Sequence, residues 1–329
     1  MTAPKPGARE PRRYDVTSVG ETMLRYSVAP GEHFTTATSF RVDVGGAESN
    51  VCAALARLGR RTAWASALPD NPLGALVLDR LRAAGVDTAG VRLLPGTRLG
   101  TYYLKPSLVP NMSAVVYDRA GSAFTALDPA DLDLATLLDT TFLHATGITA
   151  ALGEGPRRLL GEVLREARSA GVRVSFDVNH RETLWQADQA RTVLPEFMAQ
   201  ADVLFCSARD AARLFGAAPT GPGAASALRR HSQAELIVVT LGDRGAYARL
   251  GDEELTVPAV PTQVVDRPGA GDAMIAGVLD GLLDGDVRAG LERGAVLAAV
   301  ALSHHGDMVA VTRGELEAAL ARTTGDIAR

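Results

Sequence analysis

One aspartate, Asp272, follows Gly269, Ala270 and Gly271 in the run VVDRPGAGDAMIAGVLDGLL. Val264 and Val265 read as the end of a strand, and the apolar spacing beyond reads as a helix starting at about Asp272. Small residues at such a junction let backbone N–H groups converge, and a helix N-terminus adds partial positive charge. That suits a transferring phosphoryl group, with Asp272 on the first turn to accept a hydroxyl proton. A tight strand-to-helix turn with an ordinary acidic first-turn residue has the same spacing, so both readings stand on this motif alone. Other chemistries are excluded by motif. The sequence has no GxxxxGK[ST], no GxGxxG after its first strand, no GxSxG and no HExxH.

A second motif, VGGAESN, carries Gly45, Gly46 and Asn50. Paired glycines bring backbone close to a ligand, and an asparagine can hydrogen-bond a hydroxyl. Equally, Ser49 and Asn50 read as the N-cap region of a helix in which Val51, Ala54, Leu55 and Leu58 recur at helical spacing and Gly59 closes the end.

These motifs need elements to hold them. Strand-like runs (TAWASAL, FLHATG, VRVSFD, DVLF and ELIVVT) alternate with helices, one ending near Gly85, one over Pro156 to Ala170 and one near Ala190. Such alternation predicts an α/β fold with a mostly parallel sheet and helices on both faces. Residues 22–44 and 98–125 break the pattern and predict strands of a small separate sheet. Two surface hairpins would fit the pattern as well, but Tyr102, Tyr103, Tyr117 and Arg119 concentrate in the second segment, which favours a lid over a site. Gly100, Pro106 and Pro110 frame that lid, which is expected to close over its ligand and exclude water.

Composition narrows the class. The 329 residues are 47% apolar with a net charge of −4, so a large core is available and no basic excess marks a nucleic-acid or anionic-membrane binder. Cys52 and Cys206 are far apart and form no disulfide framework or zinc site, and the six histidines form no ligand set. The adjacent His304 and His305 read as solvated or packing residues, and Leu184 and Trp185 as packing. The N-terminal MTAPKPGAREPRRYD has no apolar core of a secretory signal, and the apolar stretch Ala295 to Leu302 falls far short of the ~20 residues of a membrane span. A cytoplasmic protein is expected, with residues 1–13 a flexible tail, one domain over 14–320 and a second tail over 321–329.

In this order and at this separation the two motifs are more specific than either alone. The chain resembles the PfkB/ribokinase family of carbohydrate kinases, with GGAESN and Gly59 like its N-terminal signature and DRPGAGDAM like its C-terminal one. The resemblance implies a ribokinase-like sheet with a small β lid, Mg²⁺ with ATP, and in-line transfer to a sugar hydroxyl; a monovalent cation such as K⁺ stays open. It makes Asp272 the base and Gly269, Ala270 and Gly271 the anion hole. Within the family, GTYYLKP, VVYDRAGSAF and FDVNHRETLW resemble the 2-keto-3-deoxygluconate kinases. That implies substrate contacts from Gly45, Gly46, Asn50, Tyr102, Tyr117, Arg119 and Arg181, with Asp307 in HHGD a weaker match. An arginine fork suits a sugar-acid carboxylate; for each, a surface ion pair (Arg119 with neighbouring Asp118, Arg181 with Glu182) is the alternative.

On the nucleotide side, VVTLGDRGAY resembles the family's adenine-side strand and turn, giving Thr240, Gly242 and Gly245 as contacts. Ser207 and Asp210 stand where the family usually has Asn and Glu, which organise Mg²⁺ through water. Arg267, Pro268, Met274 and Ala295 depart from the family's pattern. The implied reaction is ATP-dependent phosphorylation of a sugar acid, with a neutral-sugar kinase or a weakly catalytic sugar-binding relative as alternatives. A homodimer through the lid is expected, because open sheet edges want covering.

Overall fold

The computed structural model describes residues 12–106 and 113–327, and side chains as far as Arg322. Pro110 and residues 1–11 of the expected tail lie outside the described residues. The strands are β1 (Tyr14–Val19), β2 (Met23–Ser27), β3 (Arg41–Gly45), β4 (Thr62–Pro69), β5 (Val91–Leu94), β6 (Thr101–Lys105), β7 (Ala114–Asp118), β8 (Thr140–Thr146), β9 (Arg173–Asp177), β10 (Val203–Ser207), β11 (Leu236–Thr240), β12 (Ala246–Leu250) and β13 (Glu253–Val257). Nine of them form one sheet in the order β13-β12-β11-β10-β9-β8-β1-β4-β5. Its pairings are parallel from β5 to β11, and the β11–β12 and β12–β13 pairings, at one edge, are antiparallel.

Both faces of this sheet are covered, as a parallel sheet requires. In β10, Leu204 and Cys206 join one apolar cluster while Val203 and Phe205 join the other. The first cluster is completed by the helices Glu154–Ser169 and Ala187–Met198, the second by Ala47–Arg57, Ala270–Asp284 and Val287–Ser303. Cys52 and Cys206 are buried free thiols, and Trp185 packs in the first cluster. The helix Pro72–Ala84 shows how the local signals work. Asn71 accepts from the amides of Leu73 and Gly74 at 2.9 and 3.2 Å, proline opens the first turn, and Gly85 ends it at φ 96°.

The remaining four strands form the separate lid sheet, β3-β2-β6-β7. They come from the two segments that broke the alternation.

Three expectations need correction. The helix after GG starts at Ala47, with extended Gly46 (φ −165°) as its cap, so Ser49 and Asn50 lie inside the first turn rather than capping it. Ser49 bonds back to the Gly46 carbonyl, and Asn50 is turned toward Asp272. Val264 and Val265 are not in a strand; the amides of Val265 and Asp266 instead bond the Leu302 carbonyl at 2.7 and 3.1 Å. The helix Arg313–Ile327 runs through most of the segment expected to be a C-terminal tail.

Candidate active site

A cleft of about 660 Å³ opens where the parallel strands end, beneath the lid sheet. Ligand sites belong at the carboxyl ends of such strands. Here β9 delivers Asp177, β10 Ser207 and β11 Thr240, while the helices beginning at Ala47, Ala208 and Ala270 point their N-termini inward. The lid contributes Gly45, Tyr102 and Tyr117.

Asp272 is the third residue of the helix Ala270–Asp284, which Gly269 caps at φ 83°. A Cβ on Gly269 would run into the Asp307 carbonyl, so only glycine lets the two loops close up. Asn50 donates its side-chain amide to Asp272 Oδ2 at 2.7 Å. The Asp272 carboxyl is raised from 3.8 to about 7, chiefly by burial, with the Asp307 and Glu48 charges adding and the Asn50 hydrogen bond and Arg181 opposing. A carboxyl titrating near neutrality is matched to general-base work. Gly269 and Gly271 line the cleft beside it; Ala270 does not, and packs on the second apolar cluster.

The two arginines differ. The Arg119 guanidinium is buried against Glu21, with Nε at 2.7 Å from Oε2, and stacks over Tyr117 at 5.8 Å. Its neighbour Asp118 is taken by Arg98. Arg181 is exposed in the cleft, and among the described residues its guanidinium has no hydrogen-bond or ion-pair partner; Glu182 pairs with Arg213. Tyr102 donates to Asp307 Oδ2 at 2.6 Å and lies 5.7 Å, centroid to centroid, from the tilted Tyr117 ring.

On the opposite side, Ser207 caps the helix Ala208–Phe215, accepting from the Asp210 amide at 3.0 Å. Asp210 lines the cleft, as does Asp177, whose carboxyl is pushed up to about 8 by burial and by the Asp272 and Asp210 charges. Gly242 and Gly245 do not line the cleft. They form the β11–β12 turn, at φ 67° and 92°, and a Cβ on Gly245 would strike the Val257 carbonyl. Met274 and Ala295 are buried packing residues of the second cluster. His304 is exposed and bonds within its own helix end, and among the described residues no group of three or more His, Cys, Asp or Glu is arranged to hold a metal.

Sequence reasoning passed over Glu21, Arg25, Asp177 and Asp266. Asp177 and Asp266 had usable signals, ending a strand and directly preceding the glycine turn. Arg25 had only an unexpected charge inside the apolar strand MLRYS.

Comparison with known proteins agrees with this geometry. A model of the "pfkB family carbohydrate kinase" matches residues 14–313. A Haloferax volcanii 2-dehydro-3-deoxygalactonokinase is 38% identical over 93% of this chain and 96% of its own length. A Bacillus subtilis 2-dehydro-3-deoxygluconokinase is 31% identical over 90% and 92%. The crystal structure of a Thermotoga maritima 2-dehydro-3-deoxygluconokinase superposes with a TM-score of 0.87 at 30% identity, covering 94% of this chain and 99% of the other. In addition, no helix among the described residues is long and apolar enough to cross a membrane. With a family match over residues 14–313 and relatives similar along nearly their whole length, the chain belongs to the pfkB family of carbohydrate kinases.

Proposed function

We propose that this chain transfers the γ-phosphoryl group of ATP to the terminal hydroxyl of a 2-keto-3-deoxy (2-dehydro-3-deoxy) sugar acid such as 2-keto-3-deoxygluconate. One observation carries the reading: one cleft holds a buried carboxyl poised near neutrality, Asp272, and, within its electrostatic reach, a cation without a partner among the described residues, Arg181. The first suits a hydroxyl that must lose a proton, the second a substrate carboxylate. The names of the H. volcanii and B. subtilis relatives support the same substrate class.

In this mechanism the substrate oxygen bonds to the γ-phosphorus, its proton passes to Asp272, and the bond from that phosphorus to the β–γ bridging oxygen breaks to leave ADP. Amides at Gly269 to Gly271 take up charge on the transferring group, so catalysis is mainly positioning and charge stabilisation. The donor set fits Mg²⁺, because Asp177 and Asp210 both bring a carboxyl to the cleft, and the Asp210 charge adds to the burial and the Asp272 charge that raise Asp177. Asp210 would hold the ion through water, and when bound it supplies positive charge to the phosphates. Ser207 and Thr240 border the nucleotide side.

The outer face of the lid supports a homodimer. Register lines up Val42, Tyr26, Tyr103 and Val116 across all four strands, and Phe40 packs edge-on to both tyrosines. A second copy would cover this face and the lid edges.

A neutral-sugar kinase is the second reading, favoured by Arg119, whose charge is already met by Glu21. An ADP-release assay over sugars and sugar acids, with and without K⁺, separates the readings. Turnover of 2-keto-3-deoxy acids above all neutral sugars is expected. Preference for fructose or ribose would replace the acid reading, and no turnover on any member would leave a sugar-binding relative.

A further inference from the structure

Register places Asp43, Arg25, Tyr102 and Tyr117 on one face of the lid sheet, one residue per strand. Arg25, in the interior strand β2, has a side chain only 1% exposed. Such burial is unfavourable unless the guanidinium is paired, and here each of its three nitrogens has an acceptor. Nε donates to Ser27 Oγ at 2.7 Å, Nη1 to Asp307 Oδ1 at 2.7 Å and Nη2 to Asp266 Oδ2.

The two carboxylates lie on different loops. Asp266 immediately precedes Arg267, Pro268 and Gly269, and accepts from the amides of Arg267 at 2.9 Å and Gly306 at 3.2 Å. Asp307 accepts from Tyr102, and its backbone carbonyl sits against Gly269. The guanidinium therefore joins the lid to both loops that shape the glycine turn.

We propose that Arg25 is a positioning residue, a strut through which the lid sets the loop presenting the Gly269–Gly271 amides. Its rigid planar fork holds both carboxylates at once, so a shift of β2 is passed to the loop in a way that a flexible ammonium would not reproduce. A misplacement of about 1 Å at a reacting group is enough to lower turnover by about 10²-fold. The inference rests on the kinase reading above, but not on the identity of the sugar.

The test compares kcat and KM for the unaltered chain, Arg25→Lys, Asp266→Asn and the double variant, each checked for folding by circular dichroism. The substrate is 2-keto-3-deoxygluconate, or fructose if the unaltered chain prefers it, so the substrate class can fail without deciding the role of Arg25. Each single variant should lose about 10²-fold in kcat, with the sugar KM of Asp266→Asn within about threefold of the unaltered value. The double variant should lose no more than a single one, because both cut the same strut. A folded single variant with near-normal kcat, a loss carried by KM alone in Asp266→Asn, or losses that multiply would each overturn the proposal. Should the variants not fold, or the unaltered chain phosphorylate neither sugar, hydrogen exchange on the unaltered chain decides. Saturating 2-keto-3-deoxygluconate without nucleotide should slow exchange at Arg267 and Gly269 together with β6 and β7. With sugar binding established by calorimetry, and fructose used if it is the one that binds, protection confined to the lid strands, or none at all, would overturn it.

Discussion

Strands β10 and β11 of the large sheet read VLFCS and LIVVT and bury apolar side chains up to their last residue, whereas β2 of the lid, MLRYS, is buried to the same extent but carries Arg25 and Ser27 within it, and β6, TYYLK, alternates buried and half-buried residues. In the large sheet the side chains pack against helices, and the strands bring polar groups to the cleft at their carboxyl ends, at Asp177, Ser207 and Thr240. In the lid, polar groups lie along the strands and are already paired: Arg25 with Asp266 and Asp307, Tyr102 with Asp307, and Arg119, just beyond β7, with Glu21. Asp272, which accepts only from Asn50 among the described residues, and Arg181, which has no side-chain partner among them, both come from the large-sheet side. On this account the large sheet supplies transfer and charge recognition, and the lid supplies shape and position.

The largest expected effect falls on the large-sheet side. Asp272→Asn should keep the fold and sugar binding while turnover falls by about 10²- to 10⁴-fold, the usual worth of a positioned general base. Steady-state kinetics beside calorimetric sugar binding checks this, and near-normal turnover would remove Asp272 from the mechanism.

The two arginines sharpen the comparison next. Arg181→Ala should lower kcat/KM for the sugar acid at least about tenfold more than for fructose, because it removes an otherwise unpaired cation. Arg119→Ala should act mainly on stability, since it strands the buried Glu21; breaking such a pair costs about 3–5 kcal/mol. Thermal melts and kinetics of both variants decide. Equal loss of acid preference in the two, with no loss of stability in Arg119→Ala, would erase the distinction between paired lid and unpaired sheet groups.

Much of this was legible in the sequence. The β-branched runs and the Gly-terminated helices gave the large sheet, and the two segments without helical period gave the lid. Local signals failed where a contact spans the chain. Arg25 meets Asp266 and Asp307 across 241 and 282 residues, and nothing in MLRYS announces those partners. Gly242 and Gly245 are ambiguous for another reason: both take positive φ in a tight turn outside the cleft, and Gly245 also has the Val257 backbone against it, so the turn alone accounts for glycine there. Ser49 and Asn50 look like a cap because both residue types favour that position, yet Gly46, pressed against the Glu21 carbonyl and Thr22, takes it.

A smaller effect is set by pH. Asp272 must be ionised to accept a proton, so kcat/KM should rise up to about pH 7 and then level off. Stability should move the other way. The folded chain holds this proton more tightly than the unfolded chain, whose carboxyl titrates near 3.8, so the contribution of Asp272 to stability declines as pH climbs from about 4 to about 7. Asp272→Asn should weaken that decline, and melts across this range show whether it does.

The central claim, that an unpaired cation on the large-sheet side selects a sugar acid, is tested most directly by the ratio of kcat/KM for 2-keto-3-deoxygluconate to that for fructose, in the unaltered chain and in Arg181→Ala. A site built around a polar partner rejects an analogue lacking it by up to about 10⁴-fold, so the unaltered ratio should exceed about 10² and shrink sharply in the variant. A ratio near or below one in the unaltered chain would contradict the account.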